Sequence, residues 1–267
     1  MKKFFAVLAA ASLGIAAFCA VNDYSYASNV SYKSGDNYVN EMCRLDVAYV
    51  KGAKERPVIV WFHGGGLTEG SRHIPDHFRE RDYVIVPVEY RLYPGASVAE
   101  ILDDCAASVA WVFRNIEAYG GSTSKVYLSG HSAGGYIVNM LALDKSWMAP
   151  YGIDPDESFA AVAPYSGQVI THFTQRASEG LDALTPTIDN MAPLYHVRGD
   201  ACPFLVLSGD RELELYGRYE ETAYFVRMMK LRGHKDIIFY EFDGFTHGSM
   251  AQPANLIFME YIAEREK

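Results

Sequence analysis

Six residues, Gly130-His131-Ser132-Ala133-Gly134-Gly135, carry the clearest chemical signal in this chain. They follow a short apolar run, Val126-Tyr127-Leu128-Ser129, that reads as a buried strand. They precede Tyr136-Ile137-Val138-Asn139-Met140-Leu141-Ala142-Leu143, which reads as a helix. A Gly-x-Ser-x-Gly between strand and helix puts its serine on a sharp, strained turn. The hydroxyl then points outward, and the next N–H points at a reacting carbonyl. Glycines at 130 and 134 leave room for the turn, because a side chain there would strike the neighbouring strand or helix. Ser132 is the expected nucleophile.

Serine needs a base to take its proton, and the base needs an acid to hold its tautomer and stabilise its charge. On a strand–turn–helix scaffold the chain order is serine, acid, histidine. Of the eight histidines, His247 lies just past the last strand and before the final helix, in Gly244-Phe245-Thr246-His247-Gly248. His73, His77, His172, His196 and His234 have no supporting position. His131 adjoins Ser132, but the turn is expected to point its side chain elsewhere. For the acid, Gly209-Asp210-Arg211-Glu212-Leu213-Glu214 offers three carboxylates in five residues. The loop geometry leaves Glu212, with Asp210 as the alternative; the remaining carboxylate reads as solvated, paired with Arg211 or Arg218. His63-Gly64-Gly65-Gly66 follows another apolar strand. Its glycines let backbone N–H groups approach a developing oxyanion, where each donor is worth roughly 3–4 kcal/mol. Gly65, Gly66 and Ala133 are the expected donors, with Gly64 shaping the turn.

These residues need a frame. Apolar runs at 57–62, 83–88, 126–129, 159–164, 204–208 and 237–242 predict strands. Helical spacing predicts helices at 98–119, 136–143, 219–232 and 254–264. Strands without polar alternation are buried on both faces, which predicts an α/β fold: a mostly parallel central sheet with helices on both faces. Active sites in such sheets lie at the carboxyl ends of the strands. Residues 166–198 are polar, weakly periodic and interrupted by Pro186 and Pro193. They predict a small cap over the site.

The chain has 267 residues, 49% hydrophobic and 21% charged, which suits one large domain. Its net charge is −9, with no Lys/Arg cluster beyond Lys2-Lys3, which argues against nucleic acid as a partner. Lys2-Lys3, the uncharged stretch 4–18 and Ser25-Tyr26-Ala27 read as a secretory signal over 1–27, with the mature catalytic domain at 28–267. Export to a periplasmic or extracellular compartment follows. The apolar run is short for a membrane span, so none is expected in the mature form. Cys19 precedes the expected cut, and Phe18 before it fits lipoprotein processing poorly. Cys43, Cys105 and Cys202 form no disulfide framework; one pair could bridge, but burial as small apolar residues is the simpler reading. No metal-ligand spacing, phosphate loop or dinucleotide fingerprint is present, so no metal and no cofactor are expected.

Taken together, these residues resemble the α/β-hydrolase superfamily, in its hormone-sensitive-lipase-like and feruloyl-esterase/kynurenine-formamidase-like (BD-FAE-like) branches. The resemblance spans residues 42–263. It rests on Leu45-Asp46-Val47, Trp61-Phe62-His63-Gly64-Gly65-Gly66, Glu89-Tyr90-Arg91-Leu92-Tyr93-Pro94, Asp104, Trp111, Tyr119-Gly120-Gly121, the 130–135 turn and Asp243 to His247. It implies an α/β-hydrolase fold and a serine carboxylesterase acting through an acyl-enzyme without a cofactor. It also implies that Tyr90-Arg91-Leu92 and Asp104 are structural, a strand end and a helix anchor beneath the site. Glu212 departs from the Asp more usual in these families. The large cap of some relatives has no room here, which implies an open site. Export and an open site point to small-molecule or carbohydrate esters, such as acetyl or feruloyl groups. Amide hydrolysis on the same triad and a catalytically silent binding protein are the alternatives. The residues that bind the substrate, and the oligomeric state, are not legible.

Overall fold

The computed structural model describes residues 23–267. Lys2-Lys3, the 4–18 stretch and Cys19 lie outside the described residues. Eight strands form one sheet: β1 Tyr24–Ser31, β2 Arg44–Val50, β3 Arg56–Phe62, β4 Val84–Val88, β5 Gly121–His131, β6 Phe159–Tyr165, β7 Phe204–Gly209 and β8 Ile237–Phe242. Their order across the sheet is β1-β2-β4-β3-β5-β6-β7-β8. The pairs β1·β2 and β2·β4 are antiparallel; every pair from β4 onward is parallel. Among the described residues seven α-helices accompany them: α1 Asn37–Met42, α2 Val98–Asn115, α3 Ala133–Leu143, α4 Pro155–Ser158, α5 Phe173–Ser178, α6 Arg218–Leu231 and α7 Ala251–Arg265. All six predicted strands are present, with β5 five residues longer at its start than the apolar run alone.

The near-continuous apolar strands are buried on both faces because they feed two cores. Alternate residues of β3 separate: Val58, Val60 and Phe62 enter one core, Ile59 and Trp61 the other. Ile101 and Leu102 of α2, Ile137 of α3 and Phe225 of α6 close the first core. Phe258 and Ile262 of α7 close the second. Helices thus cover both faces, as the parallel sheet requires. The predicted helix at 98–119 is α2 followed by a 3-10 turn, Ile116–Tyr119. Ser97 and Glu100 form a capping box at its start.

The resemblance assigned Arg91 and Asp104 an anchoring role, and the contacts agree. Asp104 is fully buried in α2. Arg91 donates to both of its oxygens, at 2.7 and 2.9 Å, and Lys33 adds a contact at 2.6 Å. A buried charge is tolerated only with such partners. Cys43, Cys105 and Cys202 are free and buried. Among the described residues no helix is long and apolar enough to cross a membrane.

The polar, tyrosine-rich opening hides an element that apolar patterning does not reveal. β1 runs across the expected cut before Ser28: Tyr24, Ser25, Tyr26 and Ala27 pair with Val50, Tyr49, Ala48 and Val47. A chain starting at Ser28 keeps only the second half of that strand. It should unfold about 4–8 °C below a chain starting at Asp23, for ~2 kcal/mol of lost ladder bonding in a domain of this size. Equal melting temperatures would show the first half of β1 to be dispensable.

Candidate active site

The carboxyl ends of β3, β5, β6, β7 and β8 form one row, because these strands are parallel: Phe62 pairs with Gly130, His131 with Tyr165, Tyr165 with Leu207, and Gly209 with Phe242. Each functional segment leaves from this row. β5 turns sharply into α3 at Ser132, which holds φ +55° and ψ −111°. A non-glycine residue there is strained by about 1–3 kcal/mol, and its surroundings must hold it. The Ser132 N–H donates to the Tyr165 carbonyl at 2.8 Å. A Cβ on Gly134 would lie 2.0 Å from the Phe62 oxygen, and one on Gly130 would lie 2.6 Å from it. Only glycine lets α3 start this close to β3. Ala133 opens α3, so its N–H has no partner within the helix.

The loop after β3 is bent for the same reason. Gly65 and Gly66 hold φ +108° and +63°. A Cβ on Gly65 would meet the Glu69 oxygen at 2.0 Å. The loop's carbonyls are all occupied. Gly64 O accepts from His63 Nδ1 at 2.7 Å, Gly65 O from the N–H groups of Thr68 and Glu69 at 3.0 Å each, and Gly66 O from Thr174 Oγ1 at 2.5 Å. Among the described residues no hydrogen bond takes the N–H of Gly65 or Gly66. The His63 ring stacks on Tyr90 at 4.3 Å, and the Tyr90 hydroxyl donates to the His63 carbonyl at 2.7 Å. Segment 166–198, read as a cap, contains α5 and lies on this loop through Thr174 and through the Phe173 ring beside Gly66.

The acid on His247 is a different carboxylate from the two expected. His247 Nδ1 donates to Glu214 Oε2 at 2.7 Å. Because a carboxylate only accepts, Nδ1 carries a proton, which in the neutral tautomer leaves Nε2 as the acceptor. Glu212 is exposed, and its backbone N–H donates to Asp210 Oδ1 at 2.8 Å. Asp210 also accepts from the Gly244 N–H at 2.7 Å, while its own N–H donates to the Phe245 carbonyl at 2.8 Å. Asp210 thus ties the loop after β7 to the loop after β8 and does not touch His247. The correction has a local cause. Leu213 and Glu214 both donate backbone N–H groups to the Asp210 carbonyl at 2.9 Å, closing one helical turn. That turn folds residue 214 back against the end of β7, where a Cβ on Gly209 would lie 2.9 Å from Glu214 Oε1. Counting along an extended loop stops short of it. The available signal was Asp210, a turn-former whose side chain accepts from the N–H two residues on.

Glu214 is almost fully enclosed, with 1% of its side chain exposed. Burial pushes its carboxyl up, but hydrogen bonds from His247 and Ser166 outweigh this and hold it down at about 2. Oε1 accepts from Ser166 Oγ and from the Gly209 N–H; Oε2 also accepts from the Leu215 N–H at 3.2 Å. Ser166 itself holds φ +44°, and the buried Arg218 donates to its carbonyl. Arg218, read as a solvated partner for a loop carboxylate, is instead enclosed and paired with Glu221 at 2.8 Å.

His131 does not point away from the base. Its ring centroid lies 4.8 Å from that of His247, and its Nε2 lies 2.7 Å from the His247 carbonyl. The elbow and the loop bearing His247 therefore meet at the residue before Ser132. Among the described residues no cluster of three or more His, Cys, Asp or Glu could hold a metal ion.

Several known proteins are similar to this chain. The BD-FAE family model matches residues 45–164. Phenmedipham hydrolase of Pseudarthrobacter oxydans is 36% identical over 98 residues, covering 33% of this chain and 20% of that protein. Esterase LipC of Mycobacterium tuberculosis is 24% identical over 217 residues, covering 73% of this chain and 53% of that protein. This chain thus spans only part of such relatives, from about a fifth to about half of the length of these two. Among solved structures, esterase B from Lactobacillus Rhamnosis (HN001) superposes with a TM-score of 0.73 at 16% identity, covering 92% of this chain and 87% of that one. Strand order, a serine on a strained elbow and these likenesses give the chain an α/β-hydrolase fold, with residues 45–164 similar to the BD-FAE family.

Proposed function

We propose that this protein is an exported serine carboxylesterase that hydrolyses small acyl esters through Ser132, His247 and Glu214. The observation that carries the reading is the 2.7 Å bond from His247 Nδ1 to the enclosed Glu214 carboxylate, at the sheet end where Ser132 is bent outward. That bond leaves Nε2 as the proton acceptor. Ser132 Oγ attacks the ester carbonyl while His247 takes its proton. The N–H groups of Gly65, Gly66 and Ala133 receive the oxyanion. His247 then protonates the leaving alcohol, and water attacks the acyl-enzyme by the same route in reverse. Glu214 stays ionised throughout and stabilises the imidazolium. Segment 166–198 acts as the small cap.

Acetyl or feruloyl esters on carbohydrate or plant material are the proposed substrates. Export, expected from Lys2-Lys3 and the 4–18 stretch, places the enzyme among such polymers, with processing upstream of Tyr24 so that β1 is kept. Leu213, Leu215 and Tyr216 beside the acid, and Phe245 beside the base, are exposed. These apolar side chains on the rim suit an acyl or aryl group presented from an extended chain.

Ser132→Ala should abolish hydrolysis of p-nitrophenyl acetate, acetylated xylan and methyl ferulate with an unchanged melting temperature; full turnover in that variant would end the reading. Glu214→Gln, which keeps shape and loses charge, should lower kcat by about 10³–10⁴-fold. Glu212→Gln should stay within about twofold, and the reverse ranking would restore Glu212. Stability carries a further sign. The Glu214 carboxyl lies near 2 in the folded chain against an ordinary 4.5, so its stabilisation is full above about 4.5 and is lost as pH falls toward 2. Urea unfolding should show the gap between wild type and Glu214→Gln narrowing over that interval; a gap independent of pH would contradict the ionised, hydrogen-bonded state.

A further inference from the structure

The catalytic roles above leave unused a half-buried imidazole beside the nucleophile. His131 sits between Gly130 and Ser132, inside the elbow. A carbonyl only accepts, so the 2.7 Å contact from His131 Nε2 to the His247 oxygen requires the proton on Nε2. Nδ1 is then the unprotonated nitrogen. It faces the glycine loop: a Cβ built on Gly64 would lie 3.4 Å from His131 Nδ1 and 3.4 Å from the Ser132 Cβ. One small ring thus touches three segments of the site: the elbow that carries it, the loop after β3, and the loop after β8.

We infer that His131 is a positioning residue, whose Nε2–H clamps the main chain of His247 to the nucleophile's own turn. The inference rests on the Ser132–His247–Glu214 reading and deepens it. Main-chain contacts on either side of His247 are made elsewhere. The Phe245 carbonyl accepts from Asp210, and the Thr246 carbonyl accepts from Met250, both contacts lying away from the elbow. Glu214 sets the rotation of the His247 ring through Nδ1 but does not tie the ring to Ser132. Among the described residues, the His131 contact joins base and nucleophile through a single residue step. Displacement of a reacting group by about 1 Å costs on the order of 10²-fold in rate, so a direct tie matters.

The chemistry of the tie is consistent with a catalytic neighbourhood. Burial pushes the His131 imidazole down to about 4, and the nearby His247 adds to the effect. A neutral ring 4.8 Å away does not oppose the positive charge that His247 gains during the reaction. A lysine or arginine at this position would oppose it.

Three variants separate positioning from packing. Gln at 131 places an amide donor near the position of Nε2; Asn is too short to reach the carbonyl; Leu fills the space with no donor. With p-nitrophenyl acetate, His131→Leu and His131→Asn should lose about 10²-fold in kcat, with KM within about threefold of wild type. His131→Gln should recover to within about tenfold of wild type. Labelling of Ser132 by an organophosphate probe should slow in the same ranking. A purely structural role moves melting temperature and leaves that ranking flat, so equal kcat in the Gln and Asn variants overturns the inference. So does His131→Leu at more than a third of wild-type kcat. If His131→Leu does not fold, the Gln and Asn pair decides alone. Ser132→Ala run alongside distinguishes the failures: its inactivity with a fully active His131→Leu removes the clamp only, whereas its activity removes the triad and the clamp together.

Discussion

A carboxylate with 1% of its side chain exposed is the constraint around which this site is arranged. A buried acid left without donors takes up a proton, and a protonated Glu214 could not hold the His247 tautomer. Four donors keep it ionised: His247 Nδ1, Ser166 Oγ and the N–H groups of Gly209 and Leu215. They come from three places along the chain, so the acid cannot be correct unless the ends of β6, β7 and β8 are in register. Ser166 follows β6 at φ +44°, a strained backbone that the Arg218 guanidinium holds by its carbonyl. The cost of burying this charge is thereby spread over elements that the sheet already fixes.

Close backbone approach is the second requirement, and glycine meets it in two ways. At Gly130 and Gly134 the issue is space, since the start of α3 lies against the Phe62 carbonyl. At Gly65 and Gly66 the issue is conformation, since positive φ turns the loop after β3. Ser132 is the exception: it carries a side chain at φ +55°, where the proposed nucleophile would stand, and glycines at 130 and 134 absorb the crowding.

The two-faced burial of the parallel strands made them legible, since runs such as Val58 to Phe62 have no polar alternation to confuse with a surface strand. The places of Ser132 on the elbow and of His247 after β8 were legible because each stands at a strand end within a glycine-rich segment. Glu214 was not, for a physical reason: a single helical turn after Gly209 leaves no trace in hydrophobic periodicity, and three carboxylates in five residues look alike until the turn is closed. The contact of His131 was not legible, because the elbow fixes the direction of Ser132 but not what the loop after β8 brings to its neighbour. β1 escaped because Tyr24, Ser25, Tyr26 and Ala27 form an edge strand stabilised by ladder bonds to β2 more than by burial, so composition alone reads them as loop.

The groups that would do the chemistry and the groups left at the rim differ in burial, and this bears on how specificity arises. The Glu214 side chain and Ser166 are enclosed, His131 is half-buried, and the backbone around Ser132 is held by the Tyr165 carbonyl and by contact with β3. Any change there disturbs the sheet ends as well as the site. Leu213, Leu215, Tyr216 and Phe245 are exposed on the same two loops that carry the acid and the base. Asp210 joins those loops by two hydrogen bonds that involve none of the exposed side chains. Rim residues can therefore be exchanged without loosening the acid–base pair. On the proposed reading, acyl transfer would depend on the buried donors, whereas the choice of ester would depend on exposed apolar side chains that the fold leaves free to vary.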